Sequence, residues 1–248
     1  MGKIITIASG KGGTGKTTTA AALASCLAAR ENKTLCIDFD AGLRNLDIAL
    51  AMTDYAVMDF VDVVSGRIPL TDACSESPLI PNLFFLSAPI GEIPEDIGAS
   101  AISAMYEEVR SEFDYCIIDA PAGVGRGFKL ANSGVDMSII VTTGDIYATR
   151  DATIAADALR TLGVNNIRLI VNRVVPKKLR EINTTVDDII DTTGVRLLGL
   201  VAEDKNIFSA IHSSTPLVLY KKRKSAYNFL AAAGRLTGEN IPLRKLKQ

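Results

Sequence analysis

Two lysines and three threonines set among glycines, Gly10-Lys11-Gly12-Gly13-Thr14-Gly15-Lys16-Thr17-Thr18, form the densest concentration of chemistry in the sequence. Their spacing is G-x-x-x-x-G-K-[ST], the pattern of a loop that cradles nucleotide phosphates. Glycine has no Cβ, so such a loop can curl and aim N–H groups at phosphate oxygens. The positive end of a following helix adds to the field. The residues from Gly10 to Thr18 are therefore expected to bind the nucleotide. Lys16 is placed to reach the β- and γ-phosphates and the Thr17 hydroxyl to ligate Mg²⁺. Lys11 is not required by the pattern. Lys16 already serves the loop's own phosphates, so Lys11 is available to reach a nucleotide on a facing subunit; the alternative is a solvated loop charge.

Carboxylates close two apolar runs. Asp38-Phe39-Asp40 follows Leu35-Cys36-Ile37, and Asp119 follows Tyr115-Cys116-Ile117-Ile118. A small hard cation takes oxygen ligands and keeps part of its hydration, which suits Asp119 acting with Thr17 and Asp38 supporting the shell. Asp40 can then orient the attacking water or accept its proton. The assignment with Asp38 and Asp40 exchanged stays open, as does a helix-capping role for Asp119. Pro121–Gly125 reads as a turn that senses the γ-phosphate. Asn172 and Arg173 follow Leu169-Ile170-Val171, where the Asn172 amide can pair with an adenine edge or cap a turn. Ala202-Glu203-Asp204 closes the next run.

These residues need a scaffold that brings strand ends together. Short apolar runs recur at Ile4–Ala8, Thr34–Ile37, Leu83–Leu86, Tyr115–Ile118, Met137–Val141, Ile167–Val171 and Arg196–Val201. Between them lie stretches of helical spacing, such as Ile102, Met105, Tyr106, Val109 and Phe113. Continuous rather than alternating apolar strands imply a sheet covered on both faces. The fold class is α/β, a doubly wound and mostly parallel sheet with helices on both faces, in which ligands bind outside the carboxyl ends of the strands. The chain has 248 residues, 48% of them hydrophobic, which one domain over residues 1–240 accommodates, followed by a short basic tail, 241–248. With Lys+Arg 27 against Asp+Glu 28, no global field draws the molecule to nucleic acid or lipid. Cys26, Cys36, Cys74 and Cys116 form no C-x-x-C pair and read as reduced core thiols, against a single-chain zinc site or iron–sulfur cluster. No apolar run approaches the ~20 residues of a membrane-crossing helix. His212, the sole histidine, is assigned no role.

On its phosphate loop with Lys11, the Asp38–Asp47 stretch, Val57-Met58-Asp59-Phe60-Val61, Asp119–Gly123, Thr149-Arg150-Asp151 and Gly238–Pro242, nearly the whole sequence resembles the MinD/ParA family of deviant Walker A P-loop ATPases. Gly42–Asp47 is similar to the MinD branch; ParA relatives usually carry Pro-Gln there. The resemblance implies ATP and ADP as ligands with Mg²⁺, Lys11 acting across an ATP-dependent homodimer, and Asp40 as the hydrolytic carboxylate. It puts Asn172, Arg173 and Glu203 on the adenine side, although the family more often has Pro where this chain has Ala202. It further implies a slow ATPase, stimulated by a protein partner, that positions cell-division or other cell-surface machinery. The expected location is the cytoplasm, peripheral to the inner face of the cell membrane in the ATP state. Family members usually continue into an amphipathic helix after a segment like Gly238–Pro242, whereas here only Leu243-Arg244-Lys245-Leu246-Lys247-Gln248 follows. Two leucines and three cations give that tail a weak contact to anionic lipid, strengthened by a second copy; the alternative is a solvated tail. The basic run Lys221–Lys224 supports the runner-up function, ParA-like DNA partitioning, or else simply begins a solvated helix.

Overall fold

The apolar runs form strands because both of their faces are covered. In the computed structural model, which describes residues 1–55, 57–220 and 224–243, the strands are β1 (Lys3–Ala8), β2 (Thr34–Asp38), β3 (Ser75–Glu76), β4 (Leu83–Leu86), β5 (Tyr115–Asp119), β6 (Met137–Thr142), β7 (Ile167–Val174) and β8 (Arg196–Ala202). They make one sheet in the order β3-β4-β2-β5-β1-β6-β7-β8. All its pairings are parallel except that of β3 with β4.

Side chains alternate across this sheet. Ile5 and Ile7 of β1 pack beneath the helices Lys16–Ala28 and Lys224–Leu236, whereas Ile4 faces the opposite side with Ile102, Tyr106 and Val109 of the helix Ala99–Glu112. The helix Ile146–Thr161 covers the far half of that second side through Ala152, Ala155, Ala156 and Leu159. Lys16–Ala28 is the most enclosed helix, and its alanines suit that place because a methyl lets backbone approach backbone. At the end of Ala99–Glu112, Phe113 is buried as its spacing predicts.

Two elements differ from the sequence reading. The antiparallel β3 was not foreseen, since two residues without an apolar run carry no periodicity. β7 runs on to Val174, so Asn172 and Arg173 lie inside the strand rather than after it, at an irregularity in its pairing with β8. For the site, the topology does one thing above all. β1 lies between β5 and β6, with β2 beyond β5, and Asp119 is the register partner of both Ile7 and Asp38.

Candidate functional site

The segment from Ser9 to Gly15 joins β1 to the helix Lys16–Ala28, and its glycines serve two different ends. Gly13 and Gly15 have φ of 82° and 90°, the left-handed region that favours glycine. A Cβ on Gly15 would lie 2.3 Å from Asn172 Nδ2, and one on Gly10 would lie 2.0 Å from the Asp151 carbonyl oxygen. These outer glycines let the loop press against its neighbours. Gly12 and Gly13 face open space, leaving the backbone accessible from outside. Inside the loop, the buried Thr14 Oγ1 has no hydrogen-bond partner. An approachable backbone and an unsatisfied buried hydroxyl fit a phosphate cradle.

Asn172 supports the loop from beneath. Its Nδ2 donates to Thr14 O at 2.9 Å, and its Oδ1 accepts from the Arg173 N–H at 2.9 Å. This amide, on a residue that is 3% exposed, thus ties β7 to the phosphate loop.

At the floor, Lys16 Nζ donates to Asp119 Oδ1 at 2.8 Å, with side-chain exposures of 7% and 1%. Burial pushes the Asp119 carboxyl up from the ordinary range, and Lys16 and the Thr17 hydroxyl pull it back. Asp38 is pushed up to about 7, first by burial and then by the charge of Asp119 on the next strand. N–H donors from Asp40 at 2.9 Å and Leu46 at 3.2 Å oppose that rise. These two bonds also clasp both ends of the segment between β2 and the helix Leu46–Leu50, where the half-buried Asp40 sits. The Gly123 N–H donates to Ser9 O at 3.0 Å and ties the turn after β5 to the loop.

Among the described residues no three His, Cys, Asp or Glu side chains converge as a metal cage. The donor set is instead one hydroxyl, Thr17, beside one carboxylate, Asp119, with Asp38 alongside. Magnesium sites completed by substrate phosphates and water use such sets, so the residues present fit the ion.

Lys11 faces the other way. Its Nζ is 3.2 Å from Asp145 Oδ1, and both side chains are partly exposed. Asp145 caps the helix Ile146–Thr161 by accepting from the Ala148 N–H at 2.9 Å, and it also accepts from Thr143 Oγ1 at 2.6 Å. Partial burial raises its carboxyl, but these bonds and Lys11 outweigh that and bring it down to about 2. Arg173 Nε donates to Glu203 Oε2 at 2.9 Å across an open cleft of about 350 Å³ that Asp145, Lys178 and Leu179 also line. The two expected adenine-side residues Arg173 and Glu203 are thus brought together, within reach of the helix cap that holds Lys11.

Asp145 and Arg126 were not singled out from the sequence. The signal available for Asp145 was an aspartate just before a helical stretch, at the end of a strand. Arg126 had none: its guanidinium donates to the carbonyls of Ile93, Pro94, Glu95 and Ile97, fastening a distant loop to the end of the 121–125 turn. The tail residues 244–248 and Lys221–Arg223 lie outside the described residues.

Residues 5–217 match the family described as the CobQ/CobB/MinD/ParA nucleotide binding domain. The septum site-determining protein MinD of Bacillus subtilis is 36% identical, the match covering 100% of this chain and 94% of that protein. Among solved structures, a chain of the MinC:MinD cell division protein complex of Aquifex aeolicus superposes with a TM-score of 0.90 at 32% identity, over 98% of both chains. The septum site-determining protein MinD of Pyrococcus horikoshii, complexed with Mg-ADP, gives 0.82 at 27% identity over 95% of this chain and 96% of its own.

Proposed function

The chain belongs to the CobQ/CobB/MinD/ParA family of nucleotide-binding domains, and from that premise we propose that it is a MinD-like ATPase switch, which dimerises on binding Mg-ATP and positions cell-division or other cell-surface machinery until hydrolysis resets it. The observation that carries this reading is the opposed placement of two lysines in one loop. Lys16 is buried against the strand-end carboxylate of Asp119, whereas Lys11 lies at the rim, held on a partly exposed aspartate. One lysine is built to serve the chain's own nucleotide; the other is positioned to leave for a second subunit.

Lys16 has already been stripped of most of its water, so turning from Asp119 to a phosphate costs little further desolvation. Thr17 and Asp119 would hold Mg²⁺, with Asp38 behind them. The ion supplies charge neutralisation on the phosphates, which phosphoryl transfer needs. Asp40 orients the water and accepts its proton. Lys11, released from Asp145, stabilises charge on the partner's nucleotide, which links turnover to dimerisation. Arg173 and Glu203 flank the base, with Asn172 fixing the loop below it.

The Mg-ADP complex of the Pyrococcus MinD supports the ligand, and the MinC:MinD complex supports a protein partner. We take residues 1–240 as one unit with 241–248 as its appended tail, working from the cytoplasm at the inner face of the membrane. No helix among the described residues is long and apolar enough to cross a bilayer. Intrinsic turnover is slow in this scheme, since a switch that awaits its activator must not exhaust its ATP state alone.

The test is sedimentation velocity with ATP or ADP. The unmodified chain and Asp40→Ala should dimerise with ATP only, Asp40→Ala without hydrolysing it. Lys11→Ala should bind nucleotide but remain monomeric, and Lys16→Ala should lose nucleotide binding. ATP-dependent dimers of undiminished strength in Lys11→Ala would defeat the reading.

A further inference from the structure

The end of the sheet opposite the phosphate loop carries a second concentration of charge. Arg168 of β7 and Arg196 of β8 are register partners near the amino ends of neighbouring strands. Like charges placed side by side on a sheet are unfavourable, and among the described residues neither arginine has an acidic partner within ion-pair distance. Arg168 instead donates to the Ile167 carbonyl at 3.1 Å. Both line an open cleft of about 490 Å³ together with Arg235, Glu239, Asn240 and Leu243. The acid among these, Glu239, is engaged by Arg30, so the cleft's positive field stands uncancelled.

Arg235 shows where the chain goes next. Its guanidinium donates to Leu198 O at 2.8 Å, Ile241 O at 2.8 Å and Pro242 O at 3.0 Å. It thereby lays the last described residues along the cleft and leaves Leu243 at its rim, 47% exposed. Arg244, Lys245 and Lys247 follow immediately. The tail sequence carries the same sign of charge as the cleft, so both call for the same anionic target. That target must also accept Leu243 and Leu246. A phospholipid surface offers phosphates above an apolar interior, whereas duplex DNA offers the phosphates without the interior.

We propose that Arg168 and Arg196 form a headgroup-phosphate site in the folded body, through which this face docks on anionic membrane alongside the tail. The site goes beyond the switch reading and rests on it only for the added avidity of two copies in a dimer.

The experiment is co-sedimentation of the full chain, with ATP and with ADP, on vesicles of phosphatidylcholine and phosphatidylglycerol in equal parts. Vesicles of phosphatidylcholine alone serve as the blank. Arg168→Gln/Arg196→Gln should weaken pelleting about 5-fold per arginine and about 30-fold for the pair, in either nucleotide state, with the melting temperature not lowered and the ATPase rate unchanged. Lys177→Gln/Arg180→Gln, which removes the same charge from the exposed helix Pro176–Glu181, should pellet like the unmodified chain. Four results overturn the site: no pelleting of the unmodified chain, equal pelleting of the arginine variant, an equal loss in the lysine–arginine control, or a loss confined to the binding of a short DNA duplex. Arginine-dependent pelleting that ignores the nucleotide would uphold the site while counting against the switch.

Discussion

Lys16 with Asp119 and Arg173 with Glu203 are ion pairs of nearly equal length, 2.8 and 2.9 Å, at the two ends of one site, but their side-chain exposures are 7% and 1% against 54% and 41%. The difference separates geometry from energetics. At the phosphate end, two carboxylates on adjacent strands and one ammonium have been taken out of water; Lys16 offsets Asp119, and Asp38 is held by the Asp40 and Leu46 N–H groups against the repulsion of Asp119. At the base end, water screens both partners and the pair can open at almost no cost. The phosphate end is therefore preorganised for a charged ligand, and the base end is left adjustable.

The comparison is broken most directly by removing the buried cation. Lys16→Met leaves Asp119 beside Asp38 with no cation to offset them, and breaking a buried pair costs about 3–5 kcal/mol. Urea unfolding of the metal- and nucleotide-free protein should show that loss at neutral pH. The deficit should shrink on acidification, because a proton on Asp119 discharges the site. Glu203→Gln should cost at most about 1 kcal/mol. Comparable losses from the two substitutions would abolish the distinction between the two ends.

Asp38 sharpens it with a sign. Its carboxyl titrates at about 7 in the folded chain against 3.8 as the ordinary value, so the folded state holds this proton more tightly than the unfolded one. The stability that the proton confers is complete below about pH 4, falls as pH rises towards 7 and levels off above it. Three pH units correspond to roughly 4 kcal/mol at most. Asp38→Asn, which mimics the protonated form, should match the unmodified protein near pH 4 and exceed it near pH 8, again without metal. Parallel stability curves for the two proteins would show that burial does not act on Asp38 as described.

The two ends also differed in how far the sequence disclosed them. Lys16, Thr17 and Asp119 were legible because a local motif fixes strand, loop and helix, and a parallel sheet puts strand ends together whatever lies between them. Asn172 was legible as a position, but its bond to Thr14 spans a sequence separation of 158 residues, a distance at which spacing carries no geometry. The use of Asp145 to hold Lys11 has the same cause, since it depends on β6 lying beside β1. Arg173 was misplaced by one kind of element. Polar residues after an apolar run read as a loop, whereas the irregular pairing with β8 keeps them within β7. β3 was invisible because two residues that form the edge of a sheet need no pattern of their own.

That irregularity supports the smallest and most discriminating prediction. Arg173 has φ of 55°, in the left-handed region, where a residue with a Cβ is held at a cost of about 1–2 kcal/mol and glycine at nearly none. Replacing it removes the pair to Glu203 in every case, but the backbone term depends on what is put there. Arg173→Ala keeps the strain and loses the pair, so it should melt slightly below the unmodified protein. Arg173→Gly loses the pair and relieves the strain, offset in part by the greater freedom of glycine in the unfolded chain. It should therefore equal or surpass the unmodified protein and lie about 1 kcal/mol above the alanine variant. If both variants melt alike, the left-handed turn is not strained, and the base end is held by its side chains after all. If they separate while losing ATP affinity equally, the guanidinium acts on the nucleotide, and the backbone beneath it bears a conformation that another residue would hold more comfortably.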